Sequence, residues 1–429
     1  MAVIQYNLPI KNSFFQGTAV YMVANMVNAA IPFMLLPIMT RILSPEEYGQ
    51  VAMFQVLIGF LGAIVGLNVV GAAARKFYDD NSRSLMKKYI TTCLYIIILS
   101  GVFIFFLLFF LKNVVGLYLN IKSEWVLLCV IVAFFMSISQ LRLEQWVVRK
   151  NAIKYALLQI IQSLLVVLLS IVLVVFLEKG VLGRILAQVI GVVLGGLVAF
   201  FSLSKDGLVG LFGWRLSFAK EALCFGVPLI PHVAGGFLLV AVDRLIINTK
   251  LGLSDVGVYT VAVQFSSVMV LIFDAINKAF VPWLFERLKA DVFSEKCNIV
   301  RYTYLWFGAI LVGVCLVFLV GPRFIVWVVG EKYADSASLI GWLALGQGFF
   351  GMYRMVANYI FYSRKTALLS LTTVLSGLLN VVLLVLFLRF FGVKGASLAF
   401  CFAMGFRFLV SWVVAQKEHP MPWFSFNAK

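Results

Sequence analysis

The chain has 429 residues, of which 63% are hydrophobic and only 12% charged, with a formal net charge of +17. A soluble domain averages about 25% charged residues; no soluble interior hides this much apolar surface, and a mean hydropathy of +1.03 marks an integral membrane protein. The same numbers exclude disorder, collagen and a disulfide scaffold, while six Cys without C-x-x-C spacing and only two His, His232 and His419, argue against metal sites and Ser-His-Asp hydrolysis.

A bilayer-crossing helix needs about 20 mostly apolar residues. Twelve continuous runs meet this requirement, and their continuity argues against alternating barrel strands. Met1 to Lys11 has neither a charged n-region nor a small-residue cleavage site, so no cleavable signal peptide is expected. The first run, 14–42, carries Asn25, Asn28 and a proline pair, Pro32 and Pro37, and ends at Arg41. The second, 49–72, contains Asn68 and leads into Arg75. Runs at 89–111, 125–147, 155–177 and 180–203 complete a first half; the fourth run holds Arg142 and Glu144, and the sixth opens near Arg184. The seventh, 222–248, repeats the proline pair as Pro228 and Pro231, followed by His232, Gly235, Gly236, Asp243 and Arg244. The eighth, 256–284, contains Gln264, Asp274 and Lys278. Runs at 302–322, 336–360, 367–388 and 395–415 close the chain; the tenth carries Gln347 and Arg354, the eleventh Asn380, and the twelfth Arg407 near its middle.

With the N-terminus placed inside, the cytoplasmic connections hold about twice as many Lys and Arg as the outer ones, which sets both termini in the cytoplasm. Topology and anionic headgroups thus account for most of the positive charge, and nucleic acid is not needed as a partner. The longest connections, Ser204–Glu221 and Phe285–Arg301, are too short to fold as domains, and no G-x-x-x-x-G-K-[ST] loop is present for ATP hydrolysis.

A weak repeat divides the chain in two. Glu47-Tyr48-Gly49 resembles Asp255-Val256-Gly257, and Val181-Leu182-Gly183 resembles Val393-Lys394-Gly395. Six runs per half start both halves on the same side, which implies parallel repeats with a cavity between them. The expected lobes are 1–210 and 211–429. Proline removes an intrahelical bond, and broken backbone in lipid is tolerated mainly where it lines a cavity or is buried in protein. Pro32, Pro37, Pro228, Pro231, Gly235 and Gly236 are therefore the expected hinge points.

Six cations lie inside the runs (Arg142, Arg184, Arg244, Lys278, Arg354 and Arg407) against three acids, Glu144, Asp243 and Asp274. A central charge facing lipid costs about 2.5–3.5 kcal/mol on translocon scales, so these groups must snorkel, pair or face water. Arg407 is too deep to snorkel easily. Asp274 and Lys278, one helical turn apart, share a face and have the spacing of a pair. The excess of positive charge favours an anion, and guanidinium forks suit phosphate oxygens. The buried amides have two readings, sugar binding or interhelical hydrogen bonding.

Pro37-Ile-Met-Thr-Arg41-Ile-Leu-Ser-Pro45-Glu-Glu-Tyr-Gly49, Gly66-Leu67 through Arg75-Lys76-Phe77-Tyr78, and Asp243-Arg244-Leu-Ile-Ile-Asn248 followed by Gly257-Val-Tyr259 resemble the signatures of bacterial lipid-linked oligosaccharide flippases. These are the O-antigen and exopolysaccharide transporters of the multidrug/oligosaccharidyl-lipid/polysaccharide exporter (MOP) superfamily. The resemblance implies an all-α integral membrane protein of twelve transmembrane helices, in two parallel six-helix lobes around a central cationic cavity, a MATE-like architecture. It implies a transporter rather than an enzyme, moving an undecaprenyl-diphosphate-linked repeat unit across the inner membrane by alternating access. The expected partners are the anionic lipid-linked oligosaccharide, membrane lipids, and a polysaccharide polymerase with its chain-length regulator. Arg41, Arg75, Asp243 and Arg244 match the family pattern, while Arg142, Lys278, Arg354 and Arg407 join the cationic set by burial. Asp243, Asp274 and Glu144 are candidates for coupling to H+ or Na+, or for pairing alone; no other cofactor and no metal is expected. A cation-coupled drug exporter and a polysaccharide polymerase or glycosyltransferase are the alternatives. The first should show an acidic cavity, and the second a sizeable outer loop or an acidic catalytic cluster.

Overall fold

The structure, a computed structural model, describes residues 10–80, 82–210, 213–363 and 365–423; the side chains of 10–19, 21–22, 29, 32, 231–232, 234–240 and 366–367 are not among those described. Every one of the twelve apolar runs is helical. In chain order the helices are α1 (Ile10–Ile42), α2 (Pro45–Ile64), α3 (Val69–Asp79), α4 (Arg83–Leu119), α5 (Ser123–Val148), α6 (Ala152–Ile171), α7 (Gly180–Lys205), α8 (Leu216–Gly226), α9 (Ile230–Lys250), α10 (Leu253–Ser266), α11 (Val268–Ala290), α12 (Phe293–Val329), α13 (Ala337–Tyr362), α14 (Thr366–Phe391) and α15 (Val393–Glu418). Among the described residues, ten helical stretches are long and apolar enough to cross a membrane.

Local signals start and stop these helices. Ser44 and Glu47 form a capping box at α2: the Ser44 N–H donates to Glu47 Oε2 at 2.9 Å and the Glu47 N–H to Ser44 Oγ at 3.2 Å. Pro45 occupies the first helical position, where its missing N–H costs nothing. Asn151 Oδ1 accepts from the Lys154 N–H to cap α6.

Three of the apolar runs are divided where sequence periodicity reads straight through, the eighth at Ser267 between α10 and α11. Between α2 and α3, Gly66, Leu67 and Asn68 take φ values of 83°, 49° and 58° in succession. The Gly66 N–H leaves the helical ladder and donates to Ser100 Oγ at 3.0 Å. Between α8 and α9, Val227–Leu229 forms a 3-10 turn containing Pro228. By contrast α1 runs through Pro32 and Pro37 without interruption. Pro231, Gly235 and Gly236 lie on α9, outside the described side chains, as does His232.

The chain separates into two compact units. The first comprises the residues up to Ile42 with Gln50–Ala241; the second comprises Leu43–Gly49 and the residues from Val242 on. In the first unit, α3, α4, α5 and α8 enclose a core that includes Val69, Tyr89, Ile97, Leu141 and Ala222. In the second, α11, α12, α13 and α15 enclose Leu284, Ile299, Val356, Tyr359 and Phe408. The Leu43–Gly49 segment is bound into the second unit by Tyr333 Oη, which donates to the Leu43 carbonyl at 3.1 Å, and by Tyr48 Oη, which donates to Gln264 Oε1 at 2.8 Å. The two halves of the chain repeat one another in helix length: α4 and α12 both have 37 residues, α5 and α13 both 26, and α7 and α15 both 26.

Candidate functional site

In the second unit, α11, α13, α14 and α15 converge on a cationic cluster. Spacings of three and four residues place Phe350, Tyr353 and Arg354 on one face of α13. From α15, Arg407 Nη2 donates to Tyr353 Oη at 3.0 Å and to Thr373 Oγ1 of α14 at 2.8 Å. Its guanidinium also lies 4.1 Å from the centroid of the Tyr353 ring. Both hydrogen-bond partners are neutral, and Arg407 Nε is buried with no partner among the described residues. The positive charge is therefore positioned and partly desolvated but not neutralised. Arg354 contacts the Phe350 ring, 4.9 Å from its centroid, and the Arg407 guanidinium lies 5.8 Å from the same centroid. Asp274 of α11 forms an ion pair with Arg354, and not with Lys278 one turn further on; Lys278 is exposed. Two guanidiniums against one carboxylate leave this cluster positive.

Asp243 and Arg244 occupy a second site in the same unit. Asp243 is buried and accepts from Tyr259 Oη at 2.8 Å and Asn380 Nδ2 at 2.9 Å. Arg244, its neighbour on α9, donates from Nε to Thr260 Oγ1 at 3.2 Å. Asn380 Oδ1 is buried without a partner among the described residues.

The remaining predicted residues lie in the first unit and are not gathered together. Arg142 is fully buried and lies 4.3 Å from the Trp146 ring centroid; its Nε donates to Ser202 Oγ at 3.1 Å, and its Nη2 pairs with Asp206. It bonds α5 to the C-terminal end of α7, so burial here reflects an internal ion pair and not a water-facing cation. The other predicted cations of this unit are exposed: Arg41 at the end of α1, and Arg75 on α3, 5.6 Å from the Phe225 ring centroid. Arg75 shares a cavity of about 310 Å³ with the Lys76–Glu221 ion pair. Glu144 lines a different cavity, of about 390 Å³, beside the break between α2 and α3.

The membrane-depth amides mostly bond to other helices. Asn25 Oδ1 accepts from Tyr155 Oη at 3.3 Å, Asn28 is bonded to Ser163, and Gln264 accepts from Tyr48. Sequence reasoning missed Tyr353 and Thr373, which position Arg407, and read Tyr259, which positions Asp243, only as part of a family signature. The available signal was local for Tyr353, an aromatic directly before Arg354, and absent for Thr373 on a different helix.

The family profile described as polysaccharide biosynthesis protein matches residues 14–288. The chain is 26% identical over 381 residues to a protein of the Lsg locus of Haemophilus influenzae, covering 86% of this chain and 90% of that one. It is 24% identical over 340 residues to the succinoglycan biosynthesis transport protein ExoT of Rhizobium meliloti, covering 74% and 63%. Among solved structures, an inward-facing multidrug resistance MATE family transporter of the MOP superfamily superposes with a TM-score of 0.71 at 16% identity, over 92% of this chain and 94% of that chain. A MOP superfamily transporter from Pyrococcus furiosus, whose binding pocket is described as of reverse polarity, gives a TM-score of 0.60 at 15% identity, over 94% and 95%. Helix order, apolar spans and these likenesses agree: the chain is a multi-pass membrane protein of the polysaccharide biosynthesis protein family, with the fold of MATE transporters.

Proposed function

We propose that the protein is a flippase that carries an undecaprenyl-diphosphate-linked oligosaccharide repeat unit from the cytoplasmic to the outer leaflet of the inner membrane. The observation that carries this reading is the charge of the Arg354–Arg407 cluster. Arg407 is held by two neutral hydroxyls, and Asp274 neutralises only Arg354. Such a site attracts an anion and repels a cation. Guanidinium groups present paired N–H donors that match phosphate oxygens, and partial desolvation strengthens the attraction. A cationic drug meets the wrong sign of charge here, which weighs against the exporter alternative. Lys278, one turn from Asp274 on α11, adds a further positive charge.

The sugar and diphosphate enter from the cytoplasm in this scheme, the polyprenyl tail stays in lipid, and alternating access carries the headgroup across. The distribution of Lys and Arg supports cytoplasmic termini in this scheme. H+ or Na+ is the proposed coupling ion. Asp243, buried between Tyr259 and Asn380, is the carboxylate best enclosed to bind it. A polymerase and a chain-length regulator act downstream on the exported repeat unit. The test is complementation of a strain that lacks the gene. Arg407→Ala is expected to lose surface glycan at normal protein level, and Arg407→Lys to retain part of it. Normal glycan with Arg407→Ala would remove the phosphate role.

A further inference from the structure

The cavity beside the α2–α3 break is not used by the phosphate scheme. It lies within the first unit and measures about 390 Å³. Gly62, Val65, Gly66, Asn68, Ser137, Gln140 and Glu144 form most of its wall. At roughly 30 Å³ per water, it holds about a dozen waters. That is far more than one bare cation needs, and it suits a pyranose ring with its hydroxyls.

The chemistry of the wall is two-sided. Glu144 is half-buried on α5 and has no cationic partner among the described residues, so its carboxylate is free to accept. Gln140, one turn earlier on the same face, offers both a donor and an acceptor. Asn68 lines the same wall, with its Nδ2 buried and without a partner among the described residues. Ser137 Oγ spends its proton on the Ala133 carbonyl at 2.9 Å, shared with the Val65 carbonyl at 3.2 Å, which leaves its oxygen as an acceptor. The helix break adds a backbone group: with the Gly66 N–H donated to Ser100, the Gly62 carbonyl has lost its helical donor. Vicinal hydroxyls both donate and accept, and so satisfy a carboxylate and an amide together. Val65 and Val70, with Gly62 and Gly71, supply an apolar wall for the C–H face of a ring.

We infer that this cavity is a subsite for one neutral hexose-type sugar of the transported glycan, read by Glu144, Gln140 and Asn68. The inference rests on the transport reading above. Gly62 offers a clean probe, because a Cβ there meets nothing within 4 Å. Gly62→Leu therefore adds bulk to the cavity wall with no clash at its Cβ, and Gly→Leu favours the helical backbone.

The experiment uses the full chain in lipid nanodiscs. Methyl glycosides of glucose, galactose, mannose and N-acetylglucosamine are offered one at a time, and contact is read by saturation-transfer NMR. At least one glycoside is expected to bind the wild type. Glu144→Gln should weaken it about tenfold, the loss of one charge-assisted hydrogen bond, and Gly62→Leu should abolish it. Thermal melting of each variant confirms folding. Absence of binding by all four glycosides, or unchanged binding in both variants, overturns the inference. Inorganic pyrophosphate titrated against the same wild-type sample reads the phosphate cluster separately. Pyrophosphate binding without glycoside binding sinks the subsite and leaves the transport reading. Glycoside binding without pyrophosphate binding supports the subsite and sinks the phosphate role.

Discussion

Gly49 and Gly257 are packed reciprocally: a Cβ on Gly49 would run into the Leu253 carbonyl oxygen, and a Cβ on Gly257 into the Pro45 carbonyl oxygen. Each glycine lies four residues after the residue that its partner approaches. The contact joins the two stretches where the sequence repeats itself, Glu47-Tyr48-Gly49 and Asp255-Val256-Gly257. Helices in lipid gain from such close backbone approach through van der Waals contact. Because the obstructing atoms are backbone, neither side can yield cheaply. Gly49→Ala and Gly257→Ala are each expected to destabilise the protein by about 1–3 kcal/mol, the usual cost of overpacking. The effect is read as a lowered melting temperature in detergent. A double variant should cost less than the sum of the two, because they disturb one contact.

Asp274 competes with any anion for Arg354. Its ion pair is partly exposed, with the two side chains at 27% and 38% accessibility, so its stabilising effect is at most about 1 kcal/mol. Asp274→Asn should leave folding nearly intact and tighten pyrophosphate binding several-fold in a calorimetric titration. Weaker binding in Asp274→Asn would mean that the carboxylate positions Arg354 and does not oppose the ligand.

At the C-terminal end of α7, burial raises the pKa of Asp206, but its hydrogen bond and charge contact with Arg142 outweigh this, helped by Lys154 and Arg149. The carboxyl is held below its ordinary value of 3.8. A depressed carboxylate stabilises the fold fully above its unfolded pKa, and that stability is lost as pH falls through the folded value. The melting-temperature gap between wild type and Asp206→Asn should therefore be constant from pH 7 to about 5 and shrink below about 4. A gap that grows on acidification would contradict the assigned pair.

Asp243 is the test of ion coupling. Asn keeps the hydrogen bond from Asn380 but cannot hold a titrating charge or neutralise a sodium ion. In proteoliposomes, Asp243→Asn should transport at a rate that no longer changes when a pH or Na+ gradient is imposed. A variant that still responds fully to the gradient would move the coupling role to another carboxylate.

The helices themselves were legible because apolar runs of this length have few alternatives, and each of the twelve runs is helical. The breaks within them were less so. Gly66-Leu67-Asn68 sits inside an unbroken apolar run, and what bends it is a side chain 34 residues away, Ser100, which takes the Gly66 N–H. Pro32 and Pro37 carried a strong local signal, yet α1 continues through both, since a membrane helix can leave a proline's lost bond unmade without ending. Depth singled out Arg407, and among the described residues its hydrogen bonds go to the neutral hydroxyls of Tyr353 and Thr373. The same argument failed for Arg142, whose counter-ion Asp206 lies 64 positions away. Asp274 illustrates the limit of spacing rules: Lys278 is at the ideal distance along the helix, but Arg354 on another helix takes the carboxylate.

The central claim is that Arg354 and Arg407 draw a diphosphate-linked glycan through the protein. It is tested most directly by reconstituting the purified chain in liposomes with undecaprenyl-diphosphate-linked oligosaccharide on one leaflet and measuring its arrival on the other with an impermeant lectin or periodate. The account predicts translocation by wild type and its loss in Arg407→Ala and Arg354→Ala, with folding retained. Wild-type rates in both variants would contradict it.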